Sequence, residues 1–339
     1  MTIHIPAFEL PESELLSDKS KAVLKAYRDS LSALIADASA AKNENSEEAS
    51  ASPDKTIDPK QQFRERFYQR QAYQNLRERY DVEIEKVFYG GVLTETFISA
   101  EGIAANNQQR ILINLHGGNF DSGSQTNSHM ESIAVAAIGR IKVISVDYRM
   151  APEYKFPAAT EDVVRVYKAL LTNYAPENIG IYGASSGAHL CAQTMVRLQE
   201  EGIPLPGAIG LIAEGAVKMT GDSVAFIGAL LKSQYGMDLA EALKNIQYLK
   251  DADLNSPQVT PAQSDKFLSM FPSTLLISSS RDFMLSSVLS THSRLINLGV
   301  EAQLHVWEGL DHIFHYNPEL PETTELHQIT VKFFEKHLG

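Results

Sequence analysis

A hydroxyl, a carboxylate and an imidazole each stand just after a short apolar run in this 339-residue chain. The run NIGIYG passes into Gly183, Ala184, Ser185, Ser186 and Gly187, a G-x-S-x-G pattern that leads into a helical pattern. A strand turning sharply into a helix strains the residue at the corner, and glycines two positions to either side admit close backbone neighbours, so the Ser185 hydroxyl is left exposed at the head of the helix. The same letters also describe a glycine-rich turn that merely packs a helix on a strand, whereas a dinucleotide loop would need G-x-G-x-x-G, which this stretch lacks. Three further run ends narrow the reading. RILINL delivers His116, Gly117, Gly118 and Asn119, where paired glycines can turn backbone amides into a cleft. TLLISS is followed by Asp282, and EAQLHVW by His312 in the loop beyond it. Together these residue types describe acyl transfer. A neutral imidazole takes the hydroxyl proton as the oxygen attacks an acyl carbon, the carboxylate holds the imidazole tautomer, and the amides of Gly117, Gly118 and Ser186 hold the oxyanion.

Such side chains are far apart in sequence and need a rigid frame. DVEIEKVFY and GVLTETFIS read as a hairpin, and RILINL, KVISVDY, IGIYG, AIGLIA, TLLISS and EAQLHVW as further short strands, eight in all. Helical patterns near 125–138, 159–173, 187–201, 285–298 and 323–338 follow most of them. Strands alternating with helices predict an α/β protein with a mostly parallel eight-stranded sheet, helices on both faces and an antiparallel edge made by the hairpin. Ligands in such sheets bind beyond the carboxyl ends of the strands, where all the residues above fall. The chain order serine, aspartate, histidine is that of α/β-hydrolases.

Outside this core of 81–217 and 251–339, two stretches read as a helical cap. One is 218–250, with DSVAFIGALLKSQYG and DLAEALKNIQYLK as helices with no strand between them. The other is 1–80, with helices over 13–36 and 61–79 separated by a flexible linker near 37–60 that is small, polar and poor in large apolar groups. Phe226, Leu230, Tyr235 and Met237 in the insertion have helical spacing and serve equally well as cap core or as acyl-pocket lining. Net charge is −12 with 44% apolar residues, which supports a sizeable core and excludes a nucleic-acid partner, since phosphate backbones are held by clustered lysine and arginine. The single cysteine, Cys191, cannot form an internal disulfide and reads as a small buried apolar residue. With no basic-then-apolar leader at the amino terminus and no run of about 18 apolar residues, the expectation is a cytoplasmic protein without a membrane span.

The set HGGN (116–119), DYRMAPEYKFPAA (147–159), GASSG (183–187), RDFML (281–285) and GLDHIF (309–314) resembles the hormone-sensitive-lipase-like family of serine esterases, over about residues 82–338. The resemblance implies Ser185 as nucleophile, Asp282 as acid, His312 as base, amides of Gly117, Gly118 and Ser186 around the oxyanion, and a cap over the cleft. It also implies a small-molecule ester of short to medium acyl chain as substrate and no metal or organic cofactor, and it is compatible with a homodimer through the edge strand. Asn119 replaces the family's usual third glycine and Ala184 its usual acidic residue, so Asn119 is expected to narrow the alcohol side of the cleft. HGGNF also resembles the loop of aryl-formamide hydrolases, which leaves an amidase open, as does a non-catalytic receptor on the same fold, although His312 is present. Glu214, after the sixth run, is a second candidate acid near the cleft, and Asp282 is preferred by its place in the order. His315 is expected to be a loop residue, His189 a packed histidine and Trp307 part of the last strand. Asp147, Arg149 and Glu153 are expected to form an internal ion-pair and turn network.

Overall fold

A computed structural model describes residues 10–28 and 59–339, with the side chains of Pro59, Gln234 and Tyr235 outside the description. The chain divides into two units, Met1–Thr56 and Ile57–Gly339. In the first, helix α1 runs through 18–28 and is opened by Ser17, whose Oγ accepts the Ser20 N–H at 3.0 Å. The rest of the helix expected over 13–36, and the linker as far as residue 58, lie outside the described residues.

The second unit begins with α2 (Pro59–Tyr68) and α3 (Gln71–Arg79), where one helix over 61–79 was expected. Arg70 is extended, with ψ 138°, and breaks the helix. In one continuous helix residues 68 and 73 would lie about 140° apart around the axis. The break lets both face α4 (Asn127–Gly139), where the Tyr68 ring stacks on His129 at 5.5 Å and the Tyr73 hydroxyl lies 3.0 Å from its Nδ1.

The eight expected strands form one sheet: β1 (Val82–Tyr89), β2 (Val92–Ser99), β3 (Ile111–Leu115), β4 (Lys142–Val146), β5 (Ile179–Ala184), β6 (Ala208–Ile212), β7 (Ser273–Arg281) and β8 (Ala302–Asp311). Their order is β1-β2-β4-β3-β5-β6-β7-β8, with β2 antiparallel to both neighbours and every later pair parallel. Between them run α5 (Ala158–Leu170), α6 (Ser186–Glu200), α7 (Asp222–Tyr235), α8 (Leu239–Lys244), α9 (Asp265–Leu268), α10 (Leu285–Asn297) and finally α11 (Pro321–His337). Side chains alternate across a strand, so each face of the sheet has its own partners. Ile111, Ile113, Ile181, Ile209 and Leu211 share one core with Val163, Tyr167, Cys191 and Met195 of α5 and α6. The alternate position Gly180 meets α11, where an added Cβ would lie 2.6 Å from the Phe334 ring.

Two boundaries bear on the site. The eighth strand was read only as far as Trp307, but β8 continues to Asp311 because Arg281 pairs with Asp311 beyond an irregularity at Ser279, so His312 follows the strand directly. In the insertion, the second expected helix is short. α8 is started by Asp238, whose side chain accepts the Glu241 N–H, and gives way to a 3-10 turn at Gln247–Leu249.

Candidate active site

The register of β3 and β5 explains the tight turn after Tyr182. Leu115 lies beside Gly183, and the first turn of α6 closes over the same carbonyl. A Cβ at Gly183 or Gly187 would stand 2.4 or 1.8 Å from the Leu115 oxygen, so any side chain at either position would collide with β3. Ser185 at the corner takes φ 52° and ψ −125°, and its N–H donates to Ile212 O of β6 at 2.8 Å. This is a strained, left-handed conformation for a serine, held by strands on both sides.

The three distant side chains meet there. His312 Nε2 lies 3.0 Å from Ser185 Oγ, and its Nδ1 lies 2.7 Å from Asp282 Oδ1. Asp282 is 1% exposed; its Oδ1 also accepts the Met284 N–H at 2.8 Å, and its Oδ2 accepts the Ser278 hydroxyl at 2.8 Å. A carboxylate surrounded by donors requires a proton on Nδ1, which leaves the Nε2 lone pair facing the serine hydroxyl. The Phe283 ring lies 4.1 Å from the imidazole and covers one of its faces.

One expected oxyanion donor is otherwise engaged. The Gly117 N–H donates to Glu131 Oε1 at 2.8 Å, a buried carboxylate that holds its donors in place of water. The following residues Gly118, Asn119 and Phe120 have φ of 129°, 55° and 60°. The amides of Gly118 and Asn119, and that of Ser186 at the first turn of α6, carry no bond to a protein acceptor among the described residues. The Asn119 side chain is exposed and donates to Asp121 Oδ2 at 3.1 Å.

Glu214 is buried without touching His312. Its Oε1 accepts the Ser287 hydroxyl at 2.7 Å and the Gly215 N–H at 3.0 Å, and burial, with the nearby Asp282 charge adding to it, pushes its carboxyl up to about 8. His315 lies in the connection between β8 and α11, as expected, and is buried there: it is 2% exposed in a 3-10 turn, its ring is 6.3 Å from that of His327, and burial holds it well below the usual histidine range. His189 is packed, between Gly215 O at 3.2 Å and Val259 O at 2.7 Å. Trp307 lies in β8 and donates to Glu325. Asp147, Arg149 and Glu153 pair with other residues and not with one another: Arg149 binds Glu161 and the buried Asp162, Glu153 binds Lys60, and Asp147 accepts Gln125 Nε2. A cavity of about 370 Å³ beneath α7 and α8 is lined by Met219, Val224, Leu243, Ile246 and Leu249, among others. Phe226 and Met237 are exposed and Leu230 half-buried, and none of the three lines this cavity; the Tyr235 side chain lies outside the described residues.

Residues 112–316 match a family defined by the alpha/beta hydrolase fold. A solved esterase from the bacterial hormone-sensitive lipase family is similar at 26% identity and a TM-score of 0.70, over 85% of this chain and 94% of that one. The chain belongs to the α/β hydrolase fold family, among its hormone-sensitive-lipase-like esterases. The solved esterase E25 has a TM-score of 0.76 and 27% identity over 100% of this chain and 99% of its own. An acetyl-hydrolase of Streptomyces hygroscopicus is 29% identical over 262 residues, 74% of this chain and 84% of the relative. This α/β-hydrolase has no described helix long and apolar enough to cross a membrane. Among its described residues no group of three or more His, Cys, Asp or Glu is arranged to hold a metal ion.

Three polar residues of the hydrolase's site were missed in the sequence: Glu131, Tyr316 and Ser278. Only Glu131 carried a signal, as the one acidic residue in a helix that is small or apolar from Ser132 to Gly139.

Proposed function

We propose that this chain is a serine carboxylesterase that hydrolyses short- to medium-chain acyl esters of small molecules through an acyl-enzyme on Ser185. The observation that carries the reading is the unbroken chain Ser185 Oγ, His312 Nε2, His312 Nδ1, Asp282 Oδ1 at 3.0 and 2.7 Å. As Ser185 Oγ bonds to the carbonyl carbon, its proton passes to His312 Nε2, and Asp282 stabilises the imidazolium. The carbonyl oxygen becomes an anion held by the amides of Gly118, Asn119 and Ser186, each worth about 3–4 kcal/mol in comparable sites. Collapse breaks the bond to the alcohol, which leaves with the proton from Nε2. Water then gives a proton to Nε2 as its oxygen bonds to the acyl carbon, and collapse breaks the bond to Ser185 Oγ, which takes the proton back from Nε2 as the acid leaves.

The names of the similar proteins, an acetyl-hydrolase and esterases, support an ester as substrate. α7 and α8 serve as the cap in this reading. Ser223, near the start of α7, donates its hydroxyl to Phe283 O at 2.7 Å, which ties the insertion to the loop beside Asp282. The helices α2 and α3 contribute from the other side, through the Tyr68 hydroxyl on Gln125 O at 2.7 Å. The test is Ser185→Ala beside wild type, on a panel of p-nitrophenyl esters of increasing chain length and on a matched formamide. Turnover of the variant should fall to background, and a fluorophosphonate should label wild type alone. Full turnover by Ser185→Ala would end this reading, and preference for the formamide would make the protein an amidase.

A further inference from the structure

Glu131 is 2% exposed, and three donors converge on its carboxylate. Asn114 Nδ2, near the end of β3, reaches Oε2 at 2.8 Å. On Oε1 lie the Gly117 N–H at 2.8 Å and the Tyr316 hydroxyl at 2.5 Å. An ionised carboxylate accepts only, at about four lone-pair sites, so this cage suits the charged form. Burial pushes the acid up and the bonds from Gly117, Tyr316 and Asn114 hold it down, leaving it at about 7.

The consequence for the loop follows from peptide planarity. The C=O and N–H of a trans peptide point in opposite directions in one plane, so fixing one fixes the other. Glu131 holds the Gly117 N–H while the Tyr148 hydroxyl holds the His116 carbonyl at 2.6 Å, so the peptide before Gly117 is clamped at both ends. The Gly117 carbonyl accepts Asn127 Nδ2 at 3.2 Å and His116 Nδ1 at 3.0 Å, which turns the Gly118 N–H to the opposite side of the next peptide. A Cβ at residue 117 would stand 2.9 Å from Ala184 O and 3.1 Å from the Tyr316 hydroxyl, so the loop lies directly against the nucleophile strand and the histidine loop.

We propose that Glu131 is a positioning residue: by bonding Asn114, Gly117 and Tyr316 together it aims the Gly118 and Asn119 amides at the oxyanion, and so acts on the chemical steps and not on substrate affinity. The inference rests on the acyl-enzyme reading above. Glu131→Gln keeps the shape but puts a donor where acceptors are needed. At about pH 8, where the wild-type group is mostly charged, kcat should fall about 10- to 100-fold while KM changes less than about twofold.

A second readout separates positioning from general damage. The larger, weakly accepting sulfur of a thionoester fits oxyanion amides poorly, so the ratio of kcat/KM for p-nitrophenyl butyrate over its thiono analogue measures their aim. In Glu131→Gln that ratio should drop about tenfold, and in Tyr316→Phe, which removes one donor and leaves the carboxylate, about threefold. A wild-type ratio in Glu131→Gln, whatever its activity, overturns the proposal, as does a raised KM at unchanged kcat. If Glu131→Gln fails to fold, an unchanged ratio in Tyr316→Phe overturns it instead. Ser185→Ala distinguishes the two levels: turnover there defeats the acyl-enzyme reading, whereas an inactive Ser185→Ala with an unchanged Glu131→Gln ratio defeats the role of Glu131 alone.

Discussion

Replacing Asp282 by asparagine removes one charge from the site and leaves a defined question about orientation. An amide has one oxygen and one NH2, and the pocket dictates which faces the imidazole. Oδ1 of Asp282 accepts both His312 Nδ1 and the backbone N–H of Met284, the latter at 2.8 Å. A backbone N–H cannot become an acceptor, so turning the NH2 toward His312 would set two donors against each other in a buried place. The other position faces Ser278 Oγ at 2.8 Å, and a hydroxyl can rotate to accept. The introduced amide is therefore expected to keep its oxygen on His312 and to preserve the tautomer with Nε2 free.

What the variant loses is stabilisation of the imidazolium. Opposite charges about 4 Å apart at an effective dielectric constant near 20 attract by about 4 kcal/mol. That corresponds to about a 10³-fold loss in kcat. A variant held in the wrong tautomer would lose about 10⁴-fold or more, as the chymotrypsin-type triad does. The assay is steady-state hydrolysis of p-nitrophenyl butyrate by Asp282→Asn, with nitrogen-15 NMR of the histidine rings to read the tautomer. Loss of 10⁴-fold or more with the proton on Nε2 would refute the orientation argument. Wild-type kcat would remove Asp282 from the triad.

Two other outcomes are expected. Gly118 has φ 129°, and a Cβ there would sit 2.3 Å from the Ser122 carbonyl oxygen, so Gly118→Ala must displace the loop; kcat should fall by about 10²-fold or more, and unchanged kcat would place the oxyanion elsewhere. Glu214 has its carboxyl raised to about 8 from an ordinary 4.5, so between those values the folded protein keeps a proton that the unfolded chain has released. Its contribution to stability is present below about pH 4.5 and is lost as pH rises through 8, at up to about 1.4 kcal/mol per unit. Glu214→Gln should flatten the decline in unfolding free energy measured by denaturant titration between about pH 5 and about pH 9, and parallel curves for the two proteins would contradict it.

The sequence showed the frame clearly because local rules govern it. Short β-rich runs alternating with helical patterns can only cover a parallel sheet, and all eight strands were found. The serine at the G-x-S-x-G corner, the aspartate after β7 and the histidine after β8 each stood where strand ends concentrate chemistry. Other features depended on contacts that no window of residues contains. The helix break at Arg70 is set by the rings gathering on His129, and the extension of β8 by its pairing with Arg281. Exposure of Phe226 and Met237 depends on what lies over the insertion, which helical spacing alone does not say.

By itself, then, the sequence determined the fold class, the strained serine turn and the order of the candidate triad, because backbone sterics and side-chain periodicity act between near neighbours. The tertiary structure alone decided that Gly117 gives its amide to Glu131, that Glu214 is held by Ser287 and not by His312, and that Tyr316 from the far end of the chain meets the same carboxylate oxygen as Gly117. A buried charge takes whichever donors the packed segments bring to it, and that choice exists only once strands and helices from distant parts of the chain have met.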